Sequence, residues 1–72
     1  MNLTATVTRL IEEARALPDP FAAAYRLRLR AKQMEETPLS RWPKGVTAPD
    51  FIQAVGDLRH EAHRLAATAR NT

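Results

Sequence analysis

The sequence predicts an all-α domain of three helices. Three observations carry the prediction: apolar residues recur at alternating steps of three and four over two long stretches, proline-bearing corners separate the stretches, and the segment between them opens on three alanines. A chain of 72 residues has room for one domain, 1–72. At that size about 60% of the unfolded surface is buried, so the core supplies a thin margin and a second copy or a partner is the usual remedy.

Helix one is expected over about residues 3–17, because Leu3, Val7, Leu10, Ala14 and Leu17 fall on one stripe with Arg9, Glu12, Glu13 and Arg15 off it. Pro18-Asp19-Pro20 then serves as stop and start. Pro18 ends the first pattern, Asp19 is a good N-cap, and Pro20 fits the first helical position, where a missing N–H costs nothing. Helix two is expected over 20–36, closed by Pro38, which biases Thr37 out of helix. Its wheel carries two apolar arcs, Ala24, Leu27, Ala31 and Met34 on one and Phe21, Tyr25 and Leu29 on the other. Tyr25 to Ala31 also alternates strictly, and as a strand it would lay three arginines on one face, as a DNA-reading β-ribbon does. The Asp19-Pro20 start, the alanines and the prolines that follow decide for helix.

Thr37 to Val46 reads as a loop containing Trp42, with Trp42-Pro43-Lys44-Gly45 suited to a turn having proline second and Trp42 expected to fold back over the core. Helix three is expected over 48–69. It starts at Thr47-Ala48-Pro49-Asp50, which resembles a capping box, and carries a seam of Phe51, Val55, Leu58, Ala62, Leu65 and Ala69. Fraying is expected at Asn71-Thr72.

Composition narrows the function classes. There is no cysteine, so neither a disulfide framework nor a thiolate metal site is available. His60-Glu61-Ala62-His63 is the one cluster with metal-ligand types, but its histidines are three apart, no further His exists, and both fall off the seam, so a solvated face is expected. Ser40 is the single serine, and Gly45 and Gly56 cannot build a phosphate loop. Glu12, Glu13, Glu35, Glu36, Asp57 and Glu61 read as paired surface charges. The expectation is a chain that is not an enzyme and takes no cofactor, metal or small-molecule substrate. No run of about 18 apolar residues exists and Met1 to Thr6 lacks a signal-peptide layout, so no membrane span and a cytoplasmic setting are expected.

The formal net charge is +3, and nine of the eleven basic residues are arginine, a usage that high-GC coding in a bacterium or phage would also produce. The excess sits in the middle: residues 20–49 hold six basic residues against two acids. Two readings follow. The first is a non-catalytic helical protein–protein interaction module, regulatory or accessory in role, that pairs with itself or with another helical protein. Its expected anchors are Phe21, Tyr25, Leu29 and Trp42, since buried aromatics dominate interface energetics. The alternative is a small basic nucleic-acid-binding regulator that contacts phosphates through Arg26, Arg28, Arg30, Lys32, Arg41 and Lys44.

Glu12-Glu13-Ala14-Arg15-Ala16-Leu17-Pro18-Asp19-Pro20, followed by an Ala/Arg-rich amphipathic helix, resembles the leading helix pair of small actinobacterial helix-turn-helix regulators over residues 12–36. The resemblance implies a DNA-reading unit after the pair. Here a ten-residue loop follows instead of the three- or four-residue turn of a recognition unit, and no binding residue carries over.

Overall fold

A computed structural model of the chain describes residues 3–71. It contains three helices, α1 (Leu3–Arg15), α2 (Pro20–Glu36) and α3 (Ala48–Arg70), with a short 3₁₀ turn at Leu39–Arg41 and no strand among the described residues. The all-α three-helix prediction holds. None of these helices is long and apolar enough to cross a membrane.

The helix boundaries follow local chemistry. Asp19 caps α2 by accepting the Phe21 N–H at 2.9 Å, with Pro20 at the first helical position. Thr47 and Asp50 form a reciprocal capping box at the start of α3, both bonds 3.3 Å. Thr37 closes α2 in an extended conformation, its N–H donating to the Met34 carbonyl and its hydroxyl to the Gln33 carbonyl at 2.8 Å. The expected end of α1 at residue 17 is two residues too far. The Leu17 N–H turns to the Ala14 carbonyl, a tighter i→i−3 bond, because the chain must redirect before Pro18. Asn71, expected to fray, instead caps α3 with its N–H shared between the Ala67 and Thr68 carbonyls; Thr72 lies outside the described residues.

The loop differs from expectation in two ways. Leu39–Arg41 winds into a 3₁₀ turn, with the Arg41 N–H on the Pro38 carbonyl at 2.9 Å and the Trp42 N–H on the Leu39 carbonyl at 3.1 Å. The tight turn is also displaced by one residue: the Val46 N–H donates to the Pro43 carbonyl at 3.2 Å, so Pro43 stands first, not second, and Gly45 takes the third position. That position has φ +85°, a left-handed conformation that glycine adopts without strain.

α2 and α3 lie against each other as the main interface and α1 packs on both. The core is built mostly from small residues. Among the described residues twelve hydrophobic side chains are buried, and seven of them are alanines: Ala14, Ala23, Ala24, Ala31, Ala54, Ala62 and Ala66. Leu27 and Leu58 are the largest fully buried ones. Alanine lets helix backbones approach closely but removes little apolar surface from water per residue. Leu3, Leu10, Ile11, Leu17, Met34, Trp42, Val46 and Leu65 cover the edges of this core without being sealed by it.

The backbone geometry sets opposite expectations for the two glycines. A Cβ at Gly56, exposed in the interior of α3, meets nothing within 4 Å, so Gly56→Ala raises unfolding stability by about 0.5–1 kcal/mol. Gly45→Ala meets no clash but forces φ +85° on an L-residue and lowers stability by about 1 kcal/mol. Urea melts of the two variants against the parent chain check both signs.

Candidate interaction surface

The second apolar arc of α2 stays outside the fold. Phe21, Tyr25 and Leu29 are 52%, 67% and 41% exposed, one turn apart along the outer face, while Ala23, Ala24, Leu27 and Ala31 on the opposite face are buried. The packing explains this: α1 and α3 occupy the alanine face of α2, and among the described residues no further helix covers the aromatic one.

Trp42 is placed differently from the other three expected anchors. Its ring stacks on Phe51, with centroids 4.0 Å apart and planes 12° from parallel, and its Nε1–H donates to the Thr37 carbonyl at 3.2 Å. Trp42 thus closes the end of the α2–α3 hairpin, as its place in the loop led one to expect, and is half-buried by contacts within the chain.

The six basic residues of the middle segment, four on α2 and two on the loop, are distributed over four places. Arg26 and Arg30 line the α1 side of α2 beside Leu10 and Glu13. Arg28 and Lys32 lie on the opposite edge, sharing an open cleft with Arg59 and His63 of α3. Arg41 joins Arg30 at a second cleft under Trp42, and Lys44 lies near Asp50 and Asp57 at the start of α3. Lys32 reaches Glu36 at 4.0 Å; the other five have no carboxylate within ion-pair distance among the described residues. His60 and His63 are exposed, and among the described residues no three of His, Cys, Asp and Glu stand close enough together to hold a metal ion.

One charged residue contradicts the sequence reading. Glu61 is buried, not a surface charge, with a side chain 6% exposed. Arg15 of α1 grips its Oε1 with both Nε, at 2.8 Å, and Nη2, at 2.7 Å, while Arg64 stands 3.8 Å from Oε2. The hydrogen bond from Arg15 holds the Glu61 carboxyl below the usual 4.5, burial opposes it, and the charges of Arg15, Arg64 and His60 add to the lowering. The same contact holds Arg15 more firmly protonated. Glu35 and Arg59, at 2.7 Å, make the matching tie between α2 and α3, half exposed on both sides. Periodicity could have flagged Glu61, since it precedes Ala62 and stands three residues after Leu58 on the edge of the seam; its partner, 46 residues away, could not be read from spacing.

Comparison with protein-family models, curated proteins and solved structures finds no match for this chain.

The Glu61 contact makes a signed prediction about pH. A carboxyl whose folded value is depressed contributes stability that is present above its unfolded value and is lost as pH falls through the folded one. Glu61→Gln should therefore cost about 1–2 kcal/mol at neutral pH, discounted because Arg15 is half exposed. As pH falls below the usual 4.5 and through the depressed folded value, the gap between parent and variant should close. Denaturant melts of both proteins across that range provide the check.

Proposed function

We propose that this chain is a non-catalytic helical interaction module that self-associates through the outer face of α2. The observation that carries the reading is the exposed stripe of Phe21, Tyr25 and Leu29. Scattered exposed apolar residues are ordinary, but here two aromatics, the residue class enriched at interface centres, are aligned with a leucine along one helix face.

Surface area supports the same reading. The chain exposes 5235 Å², whereas a compact monomer of 8.1 kDa exposes about 4,500 Å². The difference, about 700 Å², is close to the roughly 800 Å² that one partner contributes to a standard interface. The molecule is elongated, with extents of 42 × 18 × 15 Å and a radius of gyration of 12.7 Å against about 11 Å for a compact domain of this length. Arg26 and Arg28 flank the stripe on its two sides, the polar rim such a face requires.

The alternative, phosphate contact by the central basic residues, is favoured by a separate observation: Arg26, Arg28, Arg30, Arg41 and Lys44 stand outside every ion pair among the described residues. Against it, they are spread over both edges of α2 and the loop, so a single duplex would engage a fraction of them at a time.

The experiment is light scattering on a size-exclusion column. The parent chain is expected to elute as a dimer at physiological salt, and Tyr25→Glu with Leu29→Glu as a monomer with unchanged far-ultraviolet circular dichroism, because both side chains are exposed. A parent chain that stays monomeric at high concentration contradicts the reading. Should it instead shift on addition of a DNA duplex, with the shift fading as salt rises, the phosphate-binding alternative gains.

A further inference from the structure

A second surface feature lies away from the α2 stripe. The 3₁₀ turn and Trp42 roof a cleft between α1 and α2, whose floor and walls are mostly apolar, supplied by Leu10, Met34, Trp42 and Phe51. Its volume is about 280 Å³, near the lower end of small-ligand sites. Two arginines, Arg30 and Arg41, line the same cleft. Neither has a carboxylate within ion-pair distance among the described residues.

Three elements converge here for reasons internal to the fold. Trp42 is fixed by its stack on Phe51 and by its bond to the Thr37 carbonyl, so the indole is a rigid wall whose N–H is already satisfied. The 3₁₀ turn places Arg41 immediately before that wall. The α-helical period puts Arg30 one turn before Met34, so both line the cleft from α2. The outcome is an apolar slot with two unpaired cations, which matches neither a neutral hydrocarbon nor a bare inorganic anion. Its complement is a molecule that has an apolar body to displace water from the slot and an oxyanion head to bridge the guanidinium forks.

We infer that this cleft binds a small amphipathic monoanion, a carboxylate on an aliphatic or single-ring body of about eight carbons, the size the volume admits. The apolar body lies against Trp42, Met34 and Leu10, and the carboxylate is held by Arg30 and Arg41. This site is independent of self-association, since Phe21, Tyr25 and Leu29 do not line it.

Trp42 is the single tryptophan of the chain, so its emission reports occupancy directly. Octanoate is the probe, with octanol as the uncharged control and acetate as the control without an apolar body. The expected result is a saturable change with octanoate that neither control reproduces at equal concentration. Arg30→Gln with Arg41→Gln should raise the octanoate midpoint about tenfold or more, the loss expected for two charge-assisted hydrogen bonds. Arg9→Gln with Arg70→Gln removes the same net charge from residues outside the cleft and should leave the midpoint within about twofold. All four arginines are exposed, and circular dichroism verifies that both variants keep their fold. Absence of a saturable change overturns the inference, as does an equal response to octanol or acetate. Equal weakening in the two variants overturns it as well, because it would mark a diffuse charge effect.

Discussion

The fold depends on a core lined chiefly by alanine. Ala23, Ala24 and Ala31 on α2, Ala54, Ala62 and Ala66 on α3, and Ala14 on α1 belong to one buried cluster. Such a seam permits close helix packing, but each alanine withdraws little apolar area from water, and Leu27 and Leu58 alone are large and fully buried. The remaining stabilising elements are placed where that deficit is most acute. Caps close the starts of α2 and α3, Trp42 seals the open end of the hairpin against Phe51, and the Arg15–Glu61 contact fastens α1, the shortest helix, to α3. In a domain whose whole margin is of the order of 5 kcal/mol, contributions of about 1 kcal/mol each decide whether the helices stay together.

The same constraint accounts for the shape of the surface. Three helices arranged around small side chains form a layer too thin to enclose a helix on all sides, so α2 presents one face to α1 and α3 and the other to solvent. On the solvent face evolution could have placed charges alone. Its first half carries Phe21, Tyr25 and Leu29 instead, and the Lys32–Glu36 pair continues the same face toward the end of the helix. An exposed apolar stripe costs solubility unless it is covered. Covering it with a second copy would add the large apolar contacts that the core lacks, which connects the stability of the fold to the function proposed for it.

Much of this was legible in the sequence because helix boundaries are set by neighbours in the chain. Asp19-Pro20 and the Thr47 to Asp50 capping box act over two or three residues, and both starts were read to the residue. The two arcs of α2 were likewise read from a single periodicity. What was missed involves competition between local and distant forces. The last turn of α1 loosened because redirection before Pro18 outweighed the apolar pattern at Leu17. The turn at Pro43 shifted because the requirement for glycine at positive φ outranked the preference for proline second. Glu61 looked like a surface charge because the arginine that draws it inward lies in another helix. For the functional residues, sequence proximity misled in one respect: the central basic residues are neighbours in the chain but belong to different clefts in space. By sequence Trp42 suits two roles, core cap and interface anchor, and its contacts within the chain supply the first.

If the thin core and the exposed stripe are two sides of one design, folding and association are linked, and stability must depend on protein concentration. The most direct test is urea unfolding followed by circular dichroism at several chain concentrations spanning about two orders of magnitude. The account predicts that the unfolding midpoint rises steadily with concentration, as mass action requires when pairing with a second copy adds to the stability of the folded chain. A midpoint that stays the same across the whole range would show that association adds nothing to the stability of the three helices and would contradict the account.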